Sequence, residues 1–337
     1  MDAVLAPSGA DAVVISEMAW VLIGGAALFF AAVMLLLWLS LRRKRRGGGE
    51  DVAHGFRPGL WIVGGGLMLP VSVLSTLMAY NVWRSAQLDT QTSRGAMVIS
   101  VTAKMWWWEV RYPGAEGDVV LANELHIPVG RPVYLALTSS DVIHSFWVPA
   151  LAGKMDMVPG RMTGLAVRAT QEGVYRGQCA EYCGMQHARM ALHVVAEPPA
   201  AFEAWLAHQA SPQGQESGAV ASAATGEPMP LAALALKRGK AAFAAHCAAC
   251  HTIRGVSSAT AQTLGTGQGP GADLGPDLTH VASRLYLAAG TLRNQPGAMA
   301  AWIADPQAHK AGVRMPAASG MDAATLQALA AYLEQLK

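Results

Sequence analysis

Residues 177–190 read GQCAEYCGMQHARM and form the part of the chain that is densest in potential metal ligands. Its side chains include two thiols, an imidazole and a thioether, at Cys179, Cys183, His187 and Met190. A further histidine, His144, lies upstream in DVIHSFWVP. Thiolate and imidazole ligands alone would suit zinc equally well, but the soft sulfur of methionine favours copper. Because there are two cysteines rather than the single one of a mononuclear blue copper site, both sulfurs could bridge two metal ions.

The sequence around this loop predicts β-structure. Between residues 96 and 197, segments such as MVISVTA, PVYLALT, TGLAVRA and ALHVVAE are short and separated by glycine and proline turns. This pattern is typical of an antiparallel sandwich or barrel. We therefore predict an all-β domain over residues 95–200, with the copper loop near its end.

Two apolar runs precede this domain, at residues 18–41 and 60–84, in a chain that is 52% hydrophobic and 14% charged. Each run reaches the ~20 residues needed to cross a bilayer, and a buried core helix is the alternative. The loop between them, residues 42–59, begins with RRKRR, which beside a span is the positive-inside signal. This places the loop in the cytoplasm and both residues 1–17 and the later domains outside. The first span is expected to serve as an uncleaved export signal. One short basic run argues against nucleic acid as a partner.

The C-terminal part carries a second cofactor motif. Residues 209–230 are small, polar and repetitive and predict a linker, for which we take residues 201–232, and residues 233–337 predict a mostly helical domain. That domain contains Cys247-Ala248-Ala249-Cys250-His251, the c-type haem attachment motif. In it, two thiols bind the haem vinyl groups and the following imidazole binds the iron. A redox dithiol, or a disulfide within either cysteine pair, is the alternative.

The loop at 177–190 resembles the binuclear copper (CuA) loop of cytochrome c oxidase subunit II, and the resemblance covers residues 12–197. It implies a cupredoxin fold and six copper ligands: the side chains of His144, Cys179, Cys183, His187 and Met190 and the backbone carbonyl of Glu181. It also implies that the Glu181 carboxylate helps to hold a magnesium ion shared with subunit I. In MWWW, residues 105–108, the resemblance implies that Trp106 receives the electrons, whereas core packing is the alternative for each tryptophan.

Residues 234–337 resemble a class I cytochrome c. The resemblance implies that Met315, in GVRMP, is the second axial ligand of the haem iron, with Met321 and His280 as rivals. It also implies that the carbonyl of Pro276, in GPDL, accepts the N–H of the proximal imidazole and fixes that ring. Methionine ligation would raise the haem potential relative to two histidines and would suit delivery of electrons to copper.

Together these parts predict a multidomain membrane protein: two transmembrane helices, an all-β cupredoxin domain and an all-α cytochrome c domain. The whole resembles the subunit II–cytochrome c fusion of a caa-type haem–copper oxidase. That resemblance implies a bacterial inner membrane protein whose copper and haem domains lie on the periplasmic face. It implies that electrons pass from a cytochrome c or another donor, through haem c and CuA, to subunit I. There O2 would be reduced to water with proton translocation, so the implied partners are subunit I, other oxidase subunits and membrane lipid.

Three other functions share part of this sequence pattern. Respiratory oxidases usually carry a glutamate early in the second span for proton uptake, but no carboxylate lies in that span here, near Val63. This leaves a copper-containing nitric oxide reductase as an alternative that uses the same carriers. A copper-delivery module would need no haem, and a quinol oxidase subunit would lack the copper ligands, so the two cofactor motifs argue against both.

Overall fold

A computed structural model describes the chain at residues 6–45, 58–88, 95–114, 117–211, 230–256 and 275–337. The chain divides into two units. One unit is Ala10–Asp89, which contains the apolar helices, and the other combines Met1–Gly9 with Thr90–Lys337. Most of the predicted basic loop, residues 46–57, lies outside the described residues.

The first unit contains two helices that are long and apolar enough to cross a membrane, over Ala10–Arg42 and Pro58–Ser85. Helix α1 runs from Ala10 to Arg45. Helix α2 has three consecutive parts, which are Pro58–Leu60, Trp61–Met68 and Leu69–Ser85. The predicted spans, 18–41 and 60–84, lie within these helices. An ion pair between Arg84 and Glu17 joins the end of α2 to the beginning of α1, as expected for an antiparallel pair.

The middle part of α2 is wound more widely than an α-helix. The Leu69 N–H bonds to the Gly64 carbonyl, five residues back, instead of four. Pro70 follows directly, and because it has no N–H it cannot continue the regular ladder. A π-type turn before a proline is one way in which a helix accommodates it. The predicted span thus stays helical through both its glycine triplet and its proline.

The second unit begins with a two-sheet sandwich. Its strands are β1 Met97–Lys104, β2 Trp107–Tyr112, β3 Val119–Ala122, β4 Glu124–Pro128, β5 Val133–Ser139, β6 His144–Trp147, β7 Met155–Met157, β8 Thr163–Val167, β9 Gly173–Cys179 and β10 Ala191–Glu197. One sheet has the order β3-β2-β1-β5-β8 and the other β4-β10-β9-β6-β7. Alternation along β5 places Val133, Leu135 and Leu137 in the core between the sheets.

The sandwich is not purely antiparallel, which corrects the sequence-based expectation. β1 pairs with β5, and β4 pairs with β10, in parallel. Both pairs join strands that are distant in sequence, so no tight hairpin connects them and parallel pairing is possible. Periodicity shows which side chains face the core, but it does not show which strands become neighbours.

Helix α3, Pro199–Ala210, packs on the sandwich and corrects the predicted start of the linker at residue 201. Phe202 on this helix is fully buried in the sandwich core. Trp205 stacks on the His126 ring, with 3.8 Å between the ring centroids. The apolar side chains of this alanine-rich helix therefore pack on the sandwich and extend the copper domain to residue 210. Residues 212–229 of the predicted linker lie outside the described residues.

The C-terminal domain is mostly helical, with one small hairpin that the sequence did not predict. Its elements are α4 Leu231–His246, β11 Tyr286–Leu287, β12 Leu292–Arg293, α5 Ala298–Ala304, α6 Pro306–His309 and α7 Ala323–Leu333. Helices α4 and α7 share a separate apolar core that includes Phe243, Leu329 and Leu333. The Asp322 carboxylate accepts the Thr325 N–H at 2.9 Å and so caps the start of α7.

Candidate copper and haem sites

The copper loop connects two paired strands of the second sheet. Cys179 ends β9 and Ala191 begins β10, so the loop between them projects from one end of the sandwich. His144 begins β6, which lies beside β9 because Phe146 pairs with Cys179. Sheet pairing thus brings the distant histidine to the loop. Five predicted ligand side chains meet at this end: His144, Cys179, Cys183, His187 and Met190.

The donor atoms form two sets, one around each sulfur. The two Sγ atoms lie 3.8 Å apart. The Cys179 Sγ lies 3.7 Å from His144 Nδ1 and 3.2 Å from the Glu181 carbonyl oxygen. The Cys183 Sγ lies 3.7 Å from His187 Nδ1 and 3.9 Å from the Met190 Sδ. Each sulfur therefore has its own imidazole and its own weaker third donor.

These separations fit metal ligation. Two ligands of one ion, with metal–nitrogen and metal–sulfur bonds of about 2.0 and 2.3 Å and a near-tetrahedral angle, lie roughly 3.5–3.7 Å apart. The imidazole-to-sulfur distances of 3.7 Å agree with this spacing. The sulfur-to-sulfur distance of 3.8 Å is far longer than the ~2.05 Å of a disulfide, and all four cysteines are free. The donor set thus fits copper and argues against the disulfide alternative.

Asp141 fixes the orientation of the His144 ring. The His144 Nε2–H donates to the Asp141 Oδ1 at 2.8 Å, which leaves the Nδ1 lone pair directed towards the Cys179 sulfur. The carboxylate is itself held by the backbone N–H of Val142 at 2.8 Å and of Met105 at 2.7 Å. A carboxylate that orients a ligating histidine is a common feature of protein metal sites. Sequence analysis did not identify Asp141, although it lies three residues before the ligand histidine.

Contacts within the site shift the pKa values of Cys179, Cys183 and His144. The hydrogen bond from the Cys183 thiol lowers the pKa of Cys179 to about 3, and the same pairing raises the pKa of Cys183. Burial opposes protonation of His144, but the Asp141 hydrogen bond and the Cys179 sulfur outweigh it and raise its pKa to about 9. Protons on thiols and imidazoles are what a binding cation displaces. A binding cation would therefore meet the Cys179 sulfur as a thiolate and would displace the protons of the Cys183 thiol and of the His144 ring.

Trp106 and Trp108, two of the three tryptophans at residues 106–108, have different environments. Trp108 is fully buried and meets Phe146 edge-on, with 5.6 Å between the ring centroids, so it serves the core. Trp106 is only half-buried, and its indole N–H donates to the Cys183 carbonyl oxygen at 2.8 Å. Trp106 thus connects the protein surface with a predicted copper ligand, whereas Trp108 follows the core-packing alternative.

The proximal haem segment has the geometry expected of an iron-binding histidine. The His251 Nδ1 lies 2.8 Å from the Pro276 carbonyl oxygen, the contact expected from the sequence. Gly275 approaches the ring so closely that an added Cβ would lie 2.6 Å from the His251 Cε1. Burial lowers the pKa of His251 and so favours the neutral ring. With Nδ1–H donated to the carbonyl, the Nε2 lone pair is left for iron, so these residues fit a haem.

The candidates for the second axial ligand differ in what they contact. Both ring nitrogens of His280 face backbone carbonyls, Nδ1 that of Lys337 at 2.8 Å and Nε2 that of Ser211 at 3.2 Å. A histidine held in this way has no nitrogen directed to iron. Met315 and Met321 both pack against the core of the haem domain. The contacts argue against His280, and the choice of Met315 stays a prediction.

The haem domain contacts the copper domain at Trp106 and at several residues that sequence analysis did not identify. The Lys310 Nζ donates to the Trp106 carbonyl oxygen at 2.7 Å. The Leu285 N–H donates to the Glu124 Oε2 at 2.8 Å. The Ala191 N–H, at the start of β10, donates to the Ala289 carbonyl at 3.1 Å. In each pair, one residue belongs to the copper domain and the other to the haem domain, far apart in sequence. No local sequence pattern could therefore have indicated these contacts.

Comparisons with known proteins agree with this architecture. Residues 114–197 match the family described as cytochrome c oxidase subunit II, periplasmic domain, and residues 236–337 match the cytochrome c family. The first match covers most of the sandwich and its copper loop. The second covers the haem attachment motif and the helices around it.

Curated relatives cover most of the chain. Cytochrome c oxidase subunit 2 of Alkalihalophilus pseudofirmus is 32% identical over 278 residues, which are 82% of this chain and 72% of the relative. The corresponding protein of Bacillus sp. PS3 is 30% identical and covers 79% of this chain and 69% of its own. Among solved structures, the periplasmic domain of subunit II of cytochrome oxidase of Bradyrhizobium japonicum is 30% identical. It covers 34% of this chain and 92% of that structure, with a TM-score of 0.32. Because the Alkalihalophilus relative is 32% identical and aligned over more than two thirds of both chains, this chain belongs to the cytochrome c oxidase subunit 2 family, as a membrane-anchored subunit of a haem–copper oxidase with outer domains for copper and haem c.

Proposed function

We propose that this chain is the electron-input subunit of a respiratory oxidase. In this proposal electrons pass from a donor to a haem c on Cys247 and Cys250, then to a binuclear CuA centre, and on to subunit I for O2 reduction coupled to proton translocation. The proposal rests on one observation. Two sulfurs 3.8 Å apart, each with its own imidazole, lie beside a tryptophan that the haem-bearing domain contacts.

The pairing of donors favours two copper ions over one. The ligands of a single ion would surround one point. Here the two imidazoles lie near different sulfurs, His144 near Cys179 and His187 near Cys183. The remaining donors divide in the same way, with the Glu181 carbonyl near Cys179 and Met190 near Cys183. When bound, the copper pair and the haem would each take up and release one electron.

The residues of the chain supply a dry and rigid setting. His144 and Met190 are buried, and both cysteine sulfurs lie inside the same apolar core. Asp141 holds the His144 ring through one hydrogen bond, and the backbone N–H groups of Val142 and Met105 hold the Asp141 carboxylate. Ligands fixed in this way cannot rearrange much when the charge of the site changes. A site that rearranges little suits electron transfer, because preorganised groups avoid the cost of reorientation.

The exposed part of the copper loop suits a partner subunit. The Tyr182 side chain is 76% exposed, and Glu181 beside it is also exposed, although the Glu181 carbonyl faces the Cys179 sulfur. We propose that subunit I covers this face and that the Glu181 carboxylate binds a magnesium ion there. Carboxylates with several waters are the usual protein ligands of magnesium.

The route of electron input follows from Trp106. Its indole bonds to the backbone of Cys183, and its own carbonyl accepts the Lys310 amino group from the haem domain. We propose that electrons reach the copper pair through Trp106. The donor to the haem would be a soluble or membrane cytochrome c or another small redox protein. Lipid of the bacterial inner membrane would surround α1 and α2, with the two redox domains on the periplasmic side.

The experiment that tests this proposal is a count of metals and haem in the purified complex. We expect two coppers and one covalent haem c on this chain, and haem groups of another kind on a separate polypeptide. Zinc, or a single copper, in the sandwich would contradict the proposal. Since the second span lacks a carboxylate, consumption of O2 and of nitric oxide should be measured side by side. Turnover with nitric oxide alone would favour the reductase alternative.

A further inference from the structure

Lys310 is buried where the haem domain meets the copper domain. Its exposed fraction is 2%, and it lies just after α6 and five residues before Met315. Its Nζ donates to the Trp106 carbonyl at 2.7 Å and to the Ala288 carbonyl at 3.4 Å. Lysine is almost never fully buried without a partner, because removing its charge from water is costly. Burial here lowers the pKa of Lys310 to about 7.

The contact of Lys310 continues into the copper loop. Trp106 receives the Lys310 amino group on its carbonyl and donates its indole N–H to the Cys183 carbonyl. Two hydrogen bonds in series therefore link the haem domain to a predicted copper ligand. A change at Lys310 would therefore act first on the contact between the haem domain and Trp106.

Neighbouring residues hold the same segment of the haem domain. The Gln186 side chain donates to the Ala311 carbonyl, and the Arg189 guanidinium donates to the His309 carbonyl. Gly312 has φ +83°, and an added Cβ would lie 2.8 Å from the Met185 Sδ. Residues 309–312 are thus covered by the copper loop at residues 185–189. Met315, the predicted iron ligand, follows this segment directly in sequence. The backbone that leads to the predicted iron ligand therefore contacts the loop that carries the predicted copper ligands.

We propose that Lys310 is a positioning residue that docks the haem domain against Trp106 for electron transfer between the two centres. The proposal rests on the proposed function, since it assumes that the haem supplies the copper pair. The step it serves moves one electron with no bond made or broken: the haem iron is oxidised and the copper pair is reduced. The linker keeps the haem domain near the copper domain, and Lys310 acts with the contacts of Gln186 and Arg189 to hold the docked arrangement.

The test uses the assembled oxidase with Lys310→Met, which keeps the length of the side chain but removes its donor, and with Lys154→Met as an exposed control. Flash reduction of the haem measures the rate of electron transfer to copper. Backbone hydrogen exchange measures docking directly at Leu285 and Ala191, whose N–H groups donate across the domain contact. We expect transfer to slow about tenfold or more in Lys310→Met, as loss of a buried hydrogen bond to an amino group implies. Both amides should also exchange faster, with copper and haem contents unchanged.

The outcomes separate this proposal from the proposed function. If the wild-type oxidase transfers electrons from haem to copper and Lys310→Met matches Lys154→Met in rate and exchange, the role of Lys310 is refuted while the function stands. If the wild type shows no transfer, or no copper pair, the proposed function itself fails. If Lys310→Met does not assemble, labelling of the wild type with an amine-specific reagent decides. Protection of Lys310 relative to Lys154 supports docking, and equal labelling overturns it.

Discussion

Replacing Asp141 with asparagine should loosen the copper centre while leaving the sandwich folded. The Asp141 carboxylate accepts three hydrogen bonds: from the His144 ring at 2.8 Å and from the backbone N–H groups of Val142 and Met105 at 2.8 and 2.7 Å. An asparagine amide offers one oxygen and one NH2 in the same space. If the amide oxygen accepts the hydrogen bonds from His144 and Val142, the amide NH2 faces the Met105 N–H. Two hydrogen-bond donors then face each other, and the bond from Met105 is lost.

The size of the effect follows from these contacts. At least one hydrogen bond to a charged acceptor is lost, which typically contributes about 1.5–3 kcal/mol. The His144 ring also loses the negative partner that makes it a stronger ligand. We expect copper affinity to fall roughly ten- to a hundred-fold, the range found when the partner of a ligating histidine is removed. Part of the lost copper affinity would come from a less firmly oriented His144 ring, and part from the lower basicity of its ligating nitrogen.

The assay is competition for copper between the purified protein and a chelator of known affinity, followed by the visible absorption of the centre. The matched control is Asp156→Asn, because Asp156 is an exposed aspartate on β7 of the same sheet. Circular dichroism should show the same β-structure in both variants. Equal copper retention by Asp141→Asn and Asp156→Asn would refute the role given to Asp141.

Three further predictions concern other parts of the chain. Met315→Ala should abolish the sulfur-to-iron absorption band of the haem, since Met315 is the predicted axial ligand, whereas Met321→Ala should keep it. Phe202→Ala should destabilise the sandwich by about 3–5 kcal/mol, because it empties a fully buried site, and the copper colour should be lost at a lower temperature. For His126, burial lowers the pKa, but its hydrogen bonds to two carboxylates outweigh this and raise it. The protonated ring therefore stabilises the fold fully below the unfolded pKa of about 6.5, and this stability is lost as pH rises through the raised folded pKa.

Each of these predictions has a result that would contradict it. Loss of the absorption band in Met321→Ala instead of Met315→Ala would reverse the ligand assignment. The control for Phe202→Ala is Glu203→Ala, on the exposed side of α3, and equal melting of the two would contradict the packing argument. The copper-loss temperature of the wild type should fall above pH 6.5 more than that of His126→Gln. Parallel pH profiles would show that the His126 ring does not carry the effect.

Much of the site could be predicted because its chemistry is local. Cys179, Cys183, His187 and Met190 lie within one loop, so the sequence shows their types and spacing directly. The haem motif is shorter still. Apolar length likewise indicates a membrane span regardless of its surroundings, and both predicted spans lie within the helices of the structure. In the structure the side chains of the copper loop lie close together, and their role as copper ligands stays a prediction.

The remaining features depend on which distant segments become neighbours. His144 is 35 residues from Cys179 and reaches it through the pairing of β6 with β9. The parallel strand pairs and the extension of the copper domain through α3 follow from burial against surfaces formed elsewhere in the chain.

The sequence was sufficient to predict the candidate ligand types, the two cofactor motifs and the apolar helices, because each is encoded in a contiguous stretch. The contact of Asp141 with the predicted ligand His144, and the contact of Lys310 with Trp106 across 204 residues of chain, became visible only in the folded structure. A hydrogen bond depends on the direction of a side chain in space and on the group that burial places opposite it. Neither is fixed by the order of residues until sheets pair and domains pack.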